Sequence, residues 1–212
     1  MKAPAFFLLL LTLIINGCSP VQKTHSWQPG TVQHRNYQKV LVVCILREED
    51  NSIRESIENQ LTDELTKNGI NAVTSLQLLG SKIFDRMDEE DALYQLNNQC
   101  VDAVLVATLL NRQKEKKYTP GIIHYTPYGY SYDRFWRYKT AIKYRIITPE
   151  YYSSEKNSFL ECNIYAMTTQ QLIYSVQSGS TFNWAFETEG NKSFRKIVKG
   201  IIKKKILVGV PG

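Results

Sequence analysis

The sequence predicts an α/β domain built on a mixed sheet. Two apolar runs, residues 39–46 and 102–110, flank a shorter strand at 71–75, and helix-period segments separate all three. The second half of the chain then changes to alternating patterns with hairpin spacing, and a C-terminal helix follows. The expected architecture is three parallel strands from a βαβαβ unit, an antiparallel extension and that last helix. Apolar residues make up 43% of the 212-residue chain and aromatics 11%. Both values suit a domain with a packed core rather than a disordered chain.

Taken in order, Val40 to Leu46 is a valine-rich run without alternation, as expected for a strand buried on both faces. Asp50, Asn51 and Ser52 offer capping side chains for a helix. Ile53, Ile57, Leu61 and Leu65 recur at spacing four and give that helix, 51–68, one apolar face. Asn68 and Gly69 read as its C-cap. After the short strand at 71–75, residues 76–86 read as irregular. A second helix, 88–100, starts at Asp88 with Asp91 three residues later, much like a capping box. Ala103-Val104-Leu105-Val106-Ala107 centres the third buried strand.

Residues 138–147 alternate, with Ile142, Tyr144 and Ile146 on one side and Lys139, Lys143 and Arg145 on the other. This reads as an antiparallel strand with one wet face. Residues 159–167 place Leu160, Cys162, Ile164 and Ala166 together, and Thr168-Thr169-Gln170 is a hairpin turn into a strand at 172–178. The last helix, 191–204, carries Phe194, Ile197, Val198, Ile201 and Ile202 as a stripe, with Arg195, Lys196, Lys199, Lys203 and Lys204 opposite. Such a helix can lie on a membrane surface. Covering the sheet is the better reading, because the sheet needs a layer on that face.

The first eighteen residues set the location. Met1-Lys2 precedes an apolar run to Ile15, too short to span a bilayer. Ile15-Asn16-Gly17-Cys18 resembles a bacterial lipobox, whose cysteine is lipidated and becomes residue one. The resemblance implies a signal peptide at 1–17, membrane attachment through Cys18 and an exported protein. Ser19 follows the cysteine where an aspartate would signal inner-membrane retention, so the outer membrane facing the periplasm is expected. Residues 18–38 lack apolar periodicity and read as a tether, leaving 39–212 as one domain.

The chain carries 26 basic and 20 acidic residues. Losing Lys2 with the signal leaves a mature charge of +5, which favours anionic lipid or glycan polymers; an exported protein rarely meets nucleic acid. Cys44 and Cys162 sit in apolar patterns and read as small buried hydrophobes, and spacing does not fix any pairing among Cys44, Cys100 and Cys162.

Catalytic motifs are missing. His25 and His34 fall in the tether and His124 in a loop. No Gly-x-Ser-x-Gly, phosphate loop or zinc spacing is present. No metal and no cofactor is implied, and no enzymatic activity is expected. Asp85, Asp88, Glu89, Glu90 and Asp91 cluster as the acidic first turn of a helix rather than a calcium loop, which needs a glycine. A hydrolase acting on envelope polymers with carboxylates, Asp133 and Glu161 foremost, is the alternative.

The most distinctive stretch, 118–138, holds Tyr118, Tyr125, Tyr128, Tyr130, Tyr132 and Tyr138 with Phe135 and Trp136. Its prolines and glycines oppose a helix, and its composition suits a recognition surface. The polar residues before it suggest a loop at the tip of a ribbon formed with 138–147. Tyr128, Tyr130, Tyr132 and Trp136 are therefore the candidate contacts, with Arg134 and Arg137 supplying charge, and the partner an envelope protein or glycan polymer.

The lipobox, the strand Lys39-Val40-Leu41-Val42-Val43, Arg54 and Glu58 on the first helix, Gly69, Ala72-Val73, Asp102-Ala103-Val104-Leu105 and Leu172-Ile173-Tyr174-Ser175 together resemble small bacterial envelope lipoproteins of unassigned function. The plan over residues 39–204 is similar to the TolB amino-terminal domain, to lipoprotein activators of penicillin-binding proteins and to the curli-secretion lipoprotein domain. That resemblance implies an α/β domain working by protein contact, with no catalytic residue to carry over.

Overall fold

The computed structural model describes residues 25–29, 36–46, 51–80, 87–111, 134–147, 158–178 and 187–209. The expected α/β architecture is present: one open six-stranded mixed sheet with helices on both faces. The strands are β1 (His25–Trp27), β2 (Val40–Ile45), β3 (Ala72–Thr74), β4 (Ala103–Asn111), β5 (Ser158–Ala166) and β6 (Gln171–Gln177). Their spatial order is β1-β6-β5-β4-β2-β3. β2 pairs in parallel with β3 and β4, and the β4–β5, β5–β6 and β6–β1 pairs are antiparallel. The turn between β5 and β6 bears Gln170 at φ +56°.

Two layers of helix cover the sheet. On the first face, α1 (Asn51–Lys67) and α5 (Glu187–Lys203) bury Ile57, Leu61, Leu65, Phe194, Ile197, Val198 and Ile201 against Val40, Val42, Leu105, Ala107, Cys162 and Ile164. On the second face, α3 (Glu89–Asn98) and α4 (Phe135–Ile147) bury Ala92, Leu96, Phe135, Tyr138 and Ile142 against Leu41, Val43, Val104, Val106 and Tyr165. The stripe of α5 is therefore core, as its spacing suggested. A short α2 (Ser75–Leu79) follows β3 directly, and Thr74 and Gln77 cap it reciprocally. Sequence pattern misses this helix because it has only one turn and a single capping signal.

Two other expectations are corrected. Residues 138–147 lie in a helix, not a strand: Phe135, Tyr138 and Ile142, at spacings three and four, are 0–1% exposed. Spacing four satisfies both the period-2 and the period-3.6 pattern, and β4 already has β5 as its antiparallel neighbour. Within the stretch read as a tether, His25–Trp27 forms an edge strand in register with Ser175 to Gln177. Trp27 packs against the second-face core from there. Three residues are too few for periodicity to register, and pairing with β6 supplies what the local pattern does not.

The C-termini of α1, α3 and α5 close alike. In α1, Ile70 N donates to Leu65 O and Gly69 N to Thr66 O, with Gly69 at φ +80°. In α3 the same pair runs from Val101 to Leu96 and from Cys100 to Asn97, with Cys100 at φ +54°. In α5 it runs from Ile206 to Ile201 and from Lys205 to Ile202, with Lys205 at φ +54°. Each is the paired closing turn that satisfies the last free carbonyls of a helix. At the N-terminus of α3, Asp88 Oδ1 accepts from Asp91 N at 2.8 Å, so the acidic cluster serves as a helix start there. Asp85 lies outside the described residues. No metal-ligand cluster occurs among the described residues.

Two buried or half-buried carboxylates hold β2 at its two ends. Asp102 accepts from Gln38 N at 2.7 Å and Lys39 N at 3.1 Å, where β2 begins beside β4. Glu58, 2% exposed on α1, accepts from Cys44 N and Ser75 N, each at 2.9 Å, and from Ser75 Oγ. Burial raises the Glu58 carboxyl above its ordinary 4.5, against the lowering effects of these donors and of nearby Arg54. A carboxyl whose folded pKa lies above its unfolded value contributes most stability below the unfolded value. That contribution fades as pH rises through the folded value. In urea melts across pH 4 to 8, the wild-type advantage over Glu58→Gln is expected to be largest at the acid end and to shrink as pH rises. An advantage that grows with pH would refute this account of Glu58.

Candidate functional site

The residues expected from the sequence to form a site fall in different places. Cys18, Tyr128, Tyr130, Tyr132 and Asp133 lie outside the described residues. Arg134 forms an isolated antiparallel bridge with Gln171 and is exposed, and Arg137, one turn later on α4, is exposed too. Trp136 is corrected: it is 8% exposed and packs edge-on against Phe135, with ring centroids 4.6 Å apart. Lys139 Nζ sits 5.0 Å from the Trp136 ring and donates to Met87 O, tying α4 to the approach of α3. Trp136 therefore belongs to the core and not to an exposed recognition surface. Its indole sits two residues before Tyr138 and one after Phe135, so the helix that buries them carries it inward as well.

The flanks of the tyrosine-rich segment also differ from a ribbon tip. Asn111 ends β4 opposite Ser158, whereas Arg134 sits level with Gln171, which lies beside Ala166 and hence Ala103. Asn111 and Arg134 thus stand at opposite ends of β4, roughly 26 Å apart at about 3.3 Å per residue. The segment joins the two ends of the sheet.

Beneath α4 lies a polar row that sequence reading did not assemble. Gln177, Glu161 and Thr108 stand side by side across β6, β5 and β4. Glu161 and Thr108 are fully buried and Gln177 is 5% exposed. Gln177 Nε2 donates to Glu161 Oε2 at 2.7 Å, and Asn163 Nδ2 donates to Glu161 Oε1 at 2.9 Å. Tyr138 Oη on α4 lies 3.1 Å from Glu161 Oε1 and 3.0 Å from Thr108 Oγ1. With one proton to give, the tyrosine donates to the carboxyl and accepts from the threonine. His25 continues the row in backbone register, opposite Gln177.

This arrangement can hold a carboxyl group in a dry interior, because several neutral donors replace its water. It is poorly arranged for hydrolysis: a general base needs reach to a substrate or a water, and among the described residues the donors around Glu161 come from the protein core. The signal available in the sequence was the alternation of Glu161 and Asn163 with Leu160, Cys162 and Ile164. A strand with polar residues on one face is ordinarily read as half-exposed, and only the covering helix changes that reading. Cys44, Cys100 and Cys162 are unpaired; burial pushes the Cys44 and Cys162 thiols up, so both stay protonated and inert, while Cys100 is exposed.

Removing the Tyr138 hydroxyl would leave a buried acceptor short of a donor. Tyr138→Phe is expected to cost about 2 kcal/mol in urea unfolding at neutral pH, with little change in the folded spectrum. A loss below about 0.5 kcal/mol would mean that the hydroxyl contributes nothing net to docking α4 on the sheet.

No family model matches the chain. No curated protein matches it either. Among solved structures, the PelC dodecamer from Paraburkholderia phytofirmans is similar in two crystal forms, at 9% and 10% identity and a TM-score of 0.45, covering 90% of this chain and 100% of that one. A PDZ domain protein from Parabacteroides distasonis is similar at 9% identity and a TM-score of 0.40, over 86% of this chain and 36% of that one. Likenesses this distant do not bear on what the chain does.

Proposed function

We propose that this chain is a lipid-anchored bacterial envelope protein, attached through Cys18 and acting as a non-catalytic binding or assembly module. The partner is an envelope protein or a glycan polymer, and the domain faces the periplasm from the outer membrane. The observation that carries the reading is the exposed pair Arg134 and Arg137 at the start of α4, directly after Tyr128, Tyr130 and Tyr132 in the chain. Arginine and tyrosine in one stretch of chain supply planar donors and rigid apolar area, both enriched where proteins recognise one another. Enclosure of Glu161 by core donors supports a binding role over hydrolysis. Trp136 is no longer part of the surface.

Cys18→Ser is expected to move the protein from the membrane to the soluble fraction. Retention in the membrane would place the anchor elsewhere. Crosslinking in cells is expected to capture an envelope partner with wild type and to lose it in a Tyr128→Ala, Tyr130→Ala, Arg134→Ala variant of unchanged melting temperature. Hot-spot truncation costs binding at least ~2 kcal/mol, well over tenfold. Capture that survives these changes, or turnover of peptidoglycan fragments lost on Glu161→Gln, would overturn the reading.

A further inference from the structure

α5 has two sides with separate tasks. Its apolar side is closed off: Phe194, Ile197, Val198 and Ile201 are all 0% exposed in the first-face core. Its other side displays Lys192, Arg195, Lys196, Lys199 and Lys203, all exposed, followed by exposed Lys204 and Lys205. Glu64 of α1 stands near Arg195 at 3.8 Å, but residues 192–209 contain no acid of their own. Such a run of one sign is more than solubility needs.

Position gives the run a meaning. Lys204 Nζ donates to Ser26 Oγ at 2.9 Å and lies 5.5 Å from the Tyr174 ring, so the basic end of α5 rests on edge strand β1. Ser26 follows Cys18 by eight residues, and eight extended residues reach at most about 28 Å. The chain leading from Cys18 therefore enters the domain at β1, beside Lys204. The four consecutive exposed acids Asp88, Glu89, Glu90 and Asp91 belong to the start of α3, on the opposite face of the sheet, while the first face carries the exposed acids Glu55 and Asp63 singly on α1.

We propose that the basic face of α5 is a second membrane contact, which lays the domain on anionic phospholipid headgroups beside the lipid anchor. It rests on the reading of Cys18 as lipidated. The anchor alone fixes distance to the bilayer and not orientation. A lysine-rich face beside it adds a contact of about fivefold per lysine at a negatively charged leaflet and selects which side of the domain faces lipid. The acidic start of α3 is then turned away from the like-charged leaflet.

The test uses the lipidated full-length protein with phosphatidylcholine vesicles and with phosphatidylcholine containing phosphatidylglycerol. Flotation reads attachment, and acetylation of Lys199 and Lys203, followed by mass spectrometry, reads orientation. The expected result is flotation with both vesicles, with acetylation of both lysines reduced about fivefold or more only on the anionic ones. That protection should vanish at 1 M salt, where screening acts over about 3 Å. Flotation on anionic vesicles alone would support the basic face and refute the anchor. Equal acetylation on both vesicles would overturn the proposal while leaving the anchor standing, and flotation on neither would overturn both. Protection by a soluble anionic polysaccharide but not by anionic vesicles would overturn it in favour of a glycan partner.

Discussion

The fold depends on how one strand ends. β2 is six residues long and buried throughout, while its neighbour β3 spans only three. Along their shared edge Val40 N donates to Asn71 O, and two residues short of the strand's end β3 has already turned into α2. The Cys44 N–H, on the edge away from β4, is then a buried donor beyond the end of β3. Glu58 reaches down from α1 and accepts from it, and its second oxygen accepts from the first N–H of α2. One side chain thereby continues the sheet's hydrogen bonding, starts a helix and fixes α1 above the strand. Without such an acceptor the orphaned group would carry a desolvation penalty of about 1–3 kcal/mol. The raised carboxyl pKa shows that burial costs the group more than its donors return.

Much of this was readable in the residues. The valine run of β2, the spacing-four face of α1, Asn68-Gly69 and the Asp88 cap are local signals, and local signals survive into the structure. The parallel arrangement of β2, β3 and β4 followed from the helical crossovers between them. α4 was not readable, because Tyr138 and Ile142 satisfy either period and the deciding fact is tertiary. β5 already occupies the free edge of β4, and Glu161 with Asn163 needs a cover that brings a donor. β1 was unreadable for a related reason: three residues carry no pattern until β6 lies beside them.

The candidate site divides along the same line. Composition singled out the aromatic stretch 118–138 without distinguishing aromatics that fill a core from those that meet solvent. The structure draws that boundary at the start of α4, where Arg134, just before the helix, and Arg137 are exposed while Phe135, Trp136 and Tyr138 are buried. Side chains one residue apart on a helix diverge by about a quarter turn, so a single helix start serves both purposes. Glu161 shows the converse error: a carboxyl that looked chemically available is enclosed once its neighbours are counted.

The closing turns of the helices have a consequence for heat tolerance. All three use a left-handed residue, yet only α1 places glycine there; α3 uses Cys100 and α5 uses Lys205. A side chain in that conformation costs about 1–2 kcal/mol that glycine does not incur. The domain thus carries unspent thermal reserve at two exposed turns, worth about 2–4 °C for each kcal/mol recovered. Neither position packs into the core, so that reserve can be drawn on without disturbing the sheet, the Glu58 contact or the row beneath α4.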